Sequence, residues 1–243
     1  MKFRNEEGSM KYKVILFDAD ETLFDFKRAE DYALEESLKK IGIGYNKEHH
    51  LSLYEEVNGR IWHELDEGKI EIGVLKVERF RRYFERLGIV YDAAEFADLY
   101  MTELGNGSFV LNGAIEMLEK LKDKIRLAII TNGLTKVQDN RIKKSIISHY
   151  FEEIVVSETI GISKPNSSIF EYTMKKMNHL DRDDVIMVGD NLSSDILGGI
   201  NYGIDTCWYN PKNKESRDDI KPTYEVSNFK EMLEMLISGN TGS

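Results

Sequence analysis

Lys13-Val14-Ile15-Leu16-Phe17-Asp18-Ala19-Asp20-Glu21-Thr22-Leu23 joins a short apolar run to a cluster of polar residues, and this junction sets the fold class. Val14–Phe17 is a run of consecutive apolar residues too short for a helix, and such a run reads as a strand buried on both faces. The chain then presents Asp18, Asp20 and Thr22 in quick succession at the strand's carboxyl end. In an open parallel α/β sheet that end borders the ligand crevice. Two carboxylates placed together there repel each other unless a cation or a shared proton holds them.

Outward from this strand the pattern changes twice. Between Phe24 and Gly107 no strand is expected, only helix-period segments at residues 27–41, 48–65, 72–87 and 93–104. Gly42 and Gly44, the turn Asp66-Glu67-Gly68-Lys69, and Gly88 separate them as C-cap and turn residues do. From about Phe109 helices and strands alternate. Helices are expected at 113–121, 135–145, 168–177, 195–201 and 229–237, and strands at 126–130, 153–156, 185–188 and 205–209. Alternation of this length implies βαβ units and a parallel sheet covered on both faces. The expected fold is therefore α/β: a Rossmann-like parallel sheet flanked by helices, with an inserted all-helical cap. Residues 10–23 and 108–243 form the core, 24–107 the cap, and the polar residues 1–9 a flexible tail.

Each later strand again ends in polar residues. Thr131-Asn132-Gly133 offers a hydroxyl, an amide and a flexible backbone donor at a helix start, which suits an anion such as phosphate. Lys164-Pro165 sets a lysine in extended backbone before a helix. Gly189-Asp190 follows another strand, with Asp195 five residues beyond Asp190. Singly, such residues serve equally well as caps and turn formers, and Asp195 in particular could cap the helix expected to start there. Jointly, carboxylates, a hydroxyl and an ammonium converge at one edge of the sheet.

Composition narrows the function class. A formal net charge of −10 argues against a nucleic-acid polymer as partner, since phosphate-backbone affinity rests on clustered Lys and Arg. The single cysteine, Cys207, excludes an internal disulfide framework, suits a reducing compartment and is expected buried. No apolar run approaches the roughly 18 residues of a membrane span, and the amino terminus lacks a secretory pattern, so a cytoplasmic protein without a membrane partner is expected.

The order DxDxT, Thr, Lys, GDxxxxD resembles the haloacid dehalogenase-like superfamily of aspartate-based phosphohydrolases, here on Asp18-Ala19-Asp20-Glu21-Thr22, Thr131, Lys164, and Gly189-Asp190 through Asp195. The position of the insertion is similar to that of the helical cap in subfamily I. Asn58, Trp62, Glu67-Gly68-Lys69, Arg79-Phe80, Asp205-Thr206-Cys207-Trp208, Asn210-Pro211 and Pro222-Thr223-Tyr224-Glu225 resemble the pyrimidine nucleoside 5'-monophosphatase branch.

The resemblance implies a phosphomonoesterase working through an aspartyl-phosphate. Asp18 would be the nucleophile and Asp20 the general acid and then base, with raised proton affinity. Lys164 and Thr131 would hold the phosphoryl oxygens, with Asn132 and Gly133 beside them. Asp18, the backbone carbonyl of Asp20 and Asp190 would hold Mg2+, with Asp195 and Thr22 in support. Phe24, Asp25, Trp62, Glu67, Gly68 and Lys69 are the expected substrate-selecting residues. Glu21 stands where many members carry glycine, and strand-like alternation predicts that it points away from the site.

The partner so implied is a small phosphorylated metabolite such as a nucleoside monophosphate, and the chain is expected as a monomer or homodimer. A sugar-phosphate phosphatase or phosphomutase of the same fold is the alternative. A receiver-type phosphoacceptor would share the acceptor Asp, Thr and Lys, but Asp20 would hasten loss of the phosphoryl group that a signal must keep.

Overall fold

A computed structural model describes residues 10–238; the segment 1–9, read above as a tail, lies outside the described residues. The strands are β1 (Val14–Phe17), β2 (Arg126–Thr131), β3 (Glu153–Val156), β4 (Val185–Gly189), β5 (Asp205–Tyr209) and β6 (Tyr224–Val226). They form one parallel sheet in the order β3-β2-β1-β4-β5-β6. The helices are α1 (Phe26–Lys40), α2 (Lys47–Asp66), α3 (Ile72–Leu87), α4 (Ala93–Asn106), α5 (Ala114–Leu121), α6 (Thr135–Arg141), α7 (Ser157–Ile160), α8 (Ser167–Lys176), α9 (Leu197–Tyr202) and α10 (Phe229–Ser238). Among the described residues no helix is long and apolar enough to cross a membrane.

β1 lies between β2 and β4, and each of its four residues is 0% exposed. Its side chains alternate as a pleat requires. Ile15 and Phe17 enter the cluster that holds Leu127, Ile129, Ile186, Val188, Met117 of α5 and Met232 of α10. Val14 and Leu16 enter the opposite cluster, with Ala128, Ile130, Met187, and Ile169 and Phe170 of α8. A strand apolar at every position is thus explained by helices on both faces. Burying each such side chain contributes about 1.5–3 kcal/mol, which fixes the sheet's carboxyl edge in place.

The described residues divide into two compact units. One carries the sheet, in residues 10–25, 109–138 and 142–238; the other comprises residues Phe26–Ser108 and Asp139–Arg141. The second unit is built on an aromatic centre of Tyr54, Phe80, Tyr83, Phe84, Phe96 and Tyr100, all buried. Tyr54 Oη donates to Tyr100 Oη at 3.0 Å, and the buried Arg79 reaches Tyr54 Oη at 3.3 Å. His50, which its polar surroundings suggest is solvated, is buried instead: its ring bonds the Asn46 backbone and stacks on Tyr45.

The structure corrects four local expectations. The helix expected over 135–145 ends at Arg141. Ile142 and Ile147 are both in the core cluster, yet five positions along an α-helix they would sit about 140° apart, so the chain must turn to bury both. The helix expected at 195–201 begins earlier, as a π-helical turn over Leu192–Ile196 capped by Asn191, whose Oδ1 accepts from Ser193 and Ser194 N–H. β6 was not expected; three residues pairing on one edge leave too short an alternation to read. Glu21 has φ 60°, so the alternation argument for its side chain does not apply.

Asp205, at the start of β5, accepts from Lys11 Nζ at 2.7 Å and Tyr12 Oη at 2.6 Å. Burial raises its proton affinity, but Lys11 and Tyr12 outweigh burial and hold the carboxyl below the usual carboxylate range. The folded state therefore binds this proton less readily than the unfolded state does. The resulting stability is complete above the ordinary value near 4 and is lost as pH falls through the lower folded value. In urea unfolding, Asp205→Asn should be destabilised at pH 7, with the gap to wild type closing below about pH 4; a gap independent of pH would contradict this.

Candidate active site

The Asp18 N–H donates to Val188 O at 2.8 Å, which extends the β1–β4 ladder one residue past the strand and fixes the direction of the Asp18 side chain. The chain then closes on itself. Ala19 O accepts from Leu23 and Phe24 N–H, both at 2.9 Å, and Glu21 N–H donates to Phe24 O at 2.8 Å. This tight turn requires the left-handed backbone at Glu21, a conformation that costs a non-glycine residue on the order of 1 kcal/mol and explains why glycine suits the position. The Glu21 carboxylate meets Lys212 Nζ at 3.1 Å. Buried Thr22 donates to Asp18 Oδ2 at 3.4 Å.

Lys164 is buried, and its ammonium has three acceptors: Asp18 Oδ1 at 2.6 Å, Asp195 Oδ1 at 2.8 Å and Ile130 O at 2.6 Å. Those three bonds use all its protons. Asn132 directs its amide to the backbone of this lysine, accepting from Lys164 N–H and donating to Lys164 O, both at 2.9 Å. The side chain expected to face phosphate thus holds the loop that carries the ammonium.

Thr131 ends β2 and is buried. Gln138 Nε2 lies 3.2 Å from both Thr131 Oγ1 and Asp20 Oδ2, so this buried amide orients the second carboxylate of the first turn. No sequence signal marks Gln138 beyond its place one helical turn into α6. Gly133 has a steric reason as well, since a Cβ there would collide with the Gln138 side chain.

Asp190 follows β4, with its carbonyl accepting from Trp208 Nε1 at 3.0 Å and its Oδ2 paired with Lys214 Nζ at 3.0 Å. Asp195 does not act as the N-cap of its helix. It is buried, pairs with Lys164, and accepts from Asn191 N–H at 3.0 Å and Ser194 Oγ at 3.1 Å. Carboxylate oxygens of Asp18, Asp190 and Asp195 come within 4.8 Å of one another. Burial pushes the Asp18 carboxyl up to about 7, with Lys164 opposing and Asp195 and Asp190 adding to the rise. Burial likewise raises Asp190, against the pull of Lys214. Clustered hard oxygen donors that resist ionisation among themselves fit a divalent cation such as magnesium, whose charge would lower both values.

The remaining expected residues lie elsewhere. The Phe24 ring is fully buried in the core cluster with Phe17 and Leu23, beneath the turn and facing no open space. Asp25 is half-buried, with its N–H donating to Phe109 O at 2.8 Å. In the second unit Trp62 is 43% exposed. Glu67, Gly68 and Lys69 form an exposed turn at the end of α2, with Gly68 at φ 70° and Glu67 paired to Lys69 at 2.6 Å. Cys207 is buried, which raises its thiol pKa and leaves it unreactive.

Residues 15–209 match the family described as haloacid dehalogenase-like hydrolase. The chain is 35% identical to pyrimidine 5'-nucleotidase PynA of Streptococcus pneumoniae, over 93% of this chain and 96% of that protein. It is 34% identical to pyrimidine 5'-nucleotidase YjjG of Escherichia coli, over 93% and 99%. A solved structure of the HAD-hydrolase YfnB of Bacillus subtilis, bound to magnesium, is similar with a TM-score of 0.85 and 31% identity, covering 93% of this chain and 99% of that one.

A Cβ on Gly189 would overlap the Cβ and carboxylate of Asp195, so Gly189→Ala must push Asp195 away from Lys164. Thermal and urea unfolding should show a loss of about 1–3 kcal/mol. Unchanged stability would mean that Asp195 does not sit against β4.

Proposed function

Because this chain belongs to the haloacid dehalogenase-like hydrolases, we propose that it hydrolyses phosphate monoesters by covalent catalysis on Asp18, with pyrimidine nucleoside 5'-monophosphates as substrates. The observation that carries this reading is the buried Lys164 ammonium 2.6 Å from Asp18 Oδ1, beside the carboxylates of Asp190 and Asp195. A single carboxylate oxygen of Asp18 remains to attack phosphorus, and its partner oxygen is already neutralised.

Asp18 attacks the phosphorus and forms an acyl phosphate, while Asp20 gives its proton to the departing ester oxygen. In the second step Asp20 takes a proton from water, which attacks the phosphorus and frees Asp18. Gln138, 3.2 Å from Asp20 Oδ2, holds the acid in one orientation through both steps. Lys164 and the Thr131 hydroxyl balance the charge that spreads over the transferring oxygens. Asp195 keeps Lys164 charged and aimed, and Asn132 fixes its backbone. Mg2+ held by Asp18, Asp190 and the Asp20 carbonyl would supply the charge that draws a phosphate dianion to an acidic site. Likeness to PynA and YjjG over 93% of the chain supports the nucleotide class.

Phosphate release with magnesium, measured over pyrimidine and purine nucleoside monophosphates, hexose phosphates and triose phosphates, should be fastest with the pyrimidine nucleotides. Preference for a sugar phosphate would overturn the substrate class, and no release from any ester would overturn the activity. Asp18→Asn should lose on the order of a thousandfold or more in kcat with its circular dichroism unchanged; substantial retained activity would refute the nucleophile.

A further inference from the structure

Two lysines reach the acidic cluster, and both are held in the same way. As Asn132 brackets Lys164, so Asn210 brackets Lys214: Asn210 Oδ1 accepts from Lys214 N–H at 2.8 Å and Asn210 Nδ2 donates to Lys214 O at 3.0 Å. Asn210 is 3% exposed, directly after β5, and Nδ2 also donates to Glu225 Oε1 of β6 at 2.7 Å. A buried amide fixed on three sides sets the backbone from which Lys214 projects. Lys214 Nζ then stands 3.0 Å from Asp190 Oδ2. An exposed Lys–Asp pair ordinarily contributes little, because both ends stay solvated and mobile. Here the carboxylate is only 17% exposed, and its own backbone is tied to Trp208.

We propose that Lys214 is a built-in counter-ion for Asp190. Its ammonium holds the carboxylate oxygen while no divalent cation is bound, and yields that oxygen when a cation enters. Lys214 thereby weakens cation binding while stabilising the metal-free fold. This inference rests on the reading of Asp190 as a cation ligand. The physical reason is the cost of a largely buried carboxylate left beside Asp18 and Asp195 with nothing to offset it. An ammonium on a fixed backbone but a flexible stem supplies that offset and can swing out to solvent, since the Lys214 side chain is 48% exposed.

Isothermal calorimetry with Mg2+ alone, and thermal unfolding in chelator and in saturating Mg2+, test this on the full chain. Lys214→Gln should bind Mg2+ roughly two- to fivefold more tightly than wild type, the range a partly exposed ion pair supports. It should also melt lower than wild type in chelator and level with it in saturating Mg2+. Lys214→Arg, which keeps the charge, should bind Mg2+ as wild type does. An unchanged or weaker Mg2+ affinity in Lys214→Gln would overturn the counter-ion role. Asp190→Asn separates this from the underlying reading, because it should weaken Mg2+ binding about tenfold or more. Unaltered Mg2+ affinity there would overturn Asp190 as a ligand, and the counter-ion role with it.

Discussion

The Lys164 ammonium, buried among Asp18, Asp195 and Ile130 O, is the interaction on which the rest of the site depends. A charge taken out of water is tolerated only when close partners replace its hydration, and all three protons here are so used. The partners come from three strand ends: Asp18 follows β1, Ile130 lies within β2, and Asp195 follows β4. The ion pair therefore ties together the three central strands at their carboxyl edge, and any slip of one strand against another would break it. Removing one carboxylate would still leave Lys164 paired with the other, whereas removing the ammonium would leave Asp18 and Asp195 buried together without a counter-charge.

The same arrangement leaves an electrostatic remainder. Three carboxylates face two ammonium groups, so the cluster stays acidic, and burial drives Asp18 and Asp190 toward keeping protons. An acidic pocket is a poor host for a phosphate dianion. A divalent cation would turn it into a good one, and the clustered oxygen donors of Asp18, Asp190 and Asp195 fit such an ion. The fold supplies the rigidity: β1, without exposure on either face, holds Asp18 where Lys164 and Asp195 also arrive.

The sheet and its site were legible in the sequence to different depths. Buried strands such as Val14–Phe17 announce themselves because a run apolar at every position has few other uses, and each is followed by the polar residues that reach the site. The helix Ile72–Leu87 was readable to both ends, since Gly88 in left-handed backbone stops it. What stayed hidden depends on contacts across long separations. Gln138 lies 118 residues from Asp20, and Lys214 meets Asp190 only once β5 and its following loop are placed. Local pattern also does not show the turn at Glu21, where strand alternation ends, or that the Asn132 side-chain amide is directed to the Lys164 backbone.

With Asp18 as nucleophile, the phosphoryl group passes through its carboxylate on the way to water. Rapid acid quench of a single turnover with a labelled nucleoside monophosphate, followed by peptide mapping, tests it most directly. A transient acid-stable, base-labile label should appear on the peptide that contains Asp18 before free phosphate is released. Release of phosphate with no covalent label, or a label on any other residue, would contradict it.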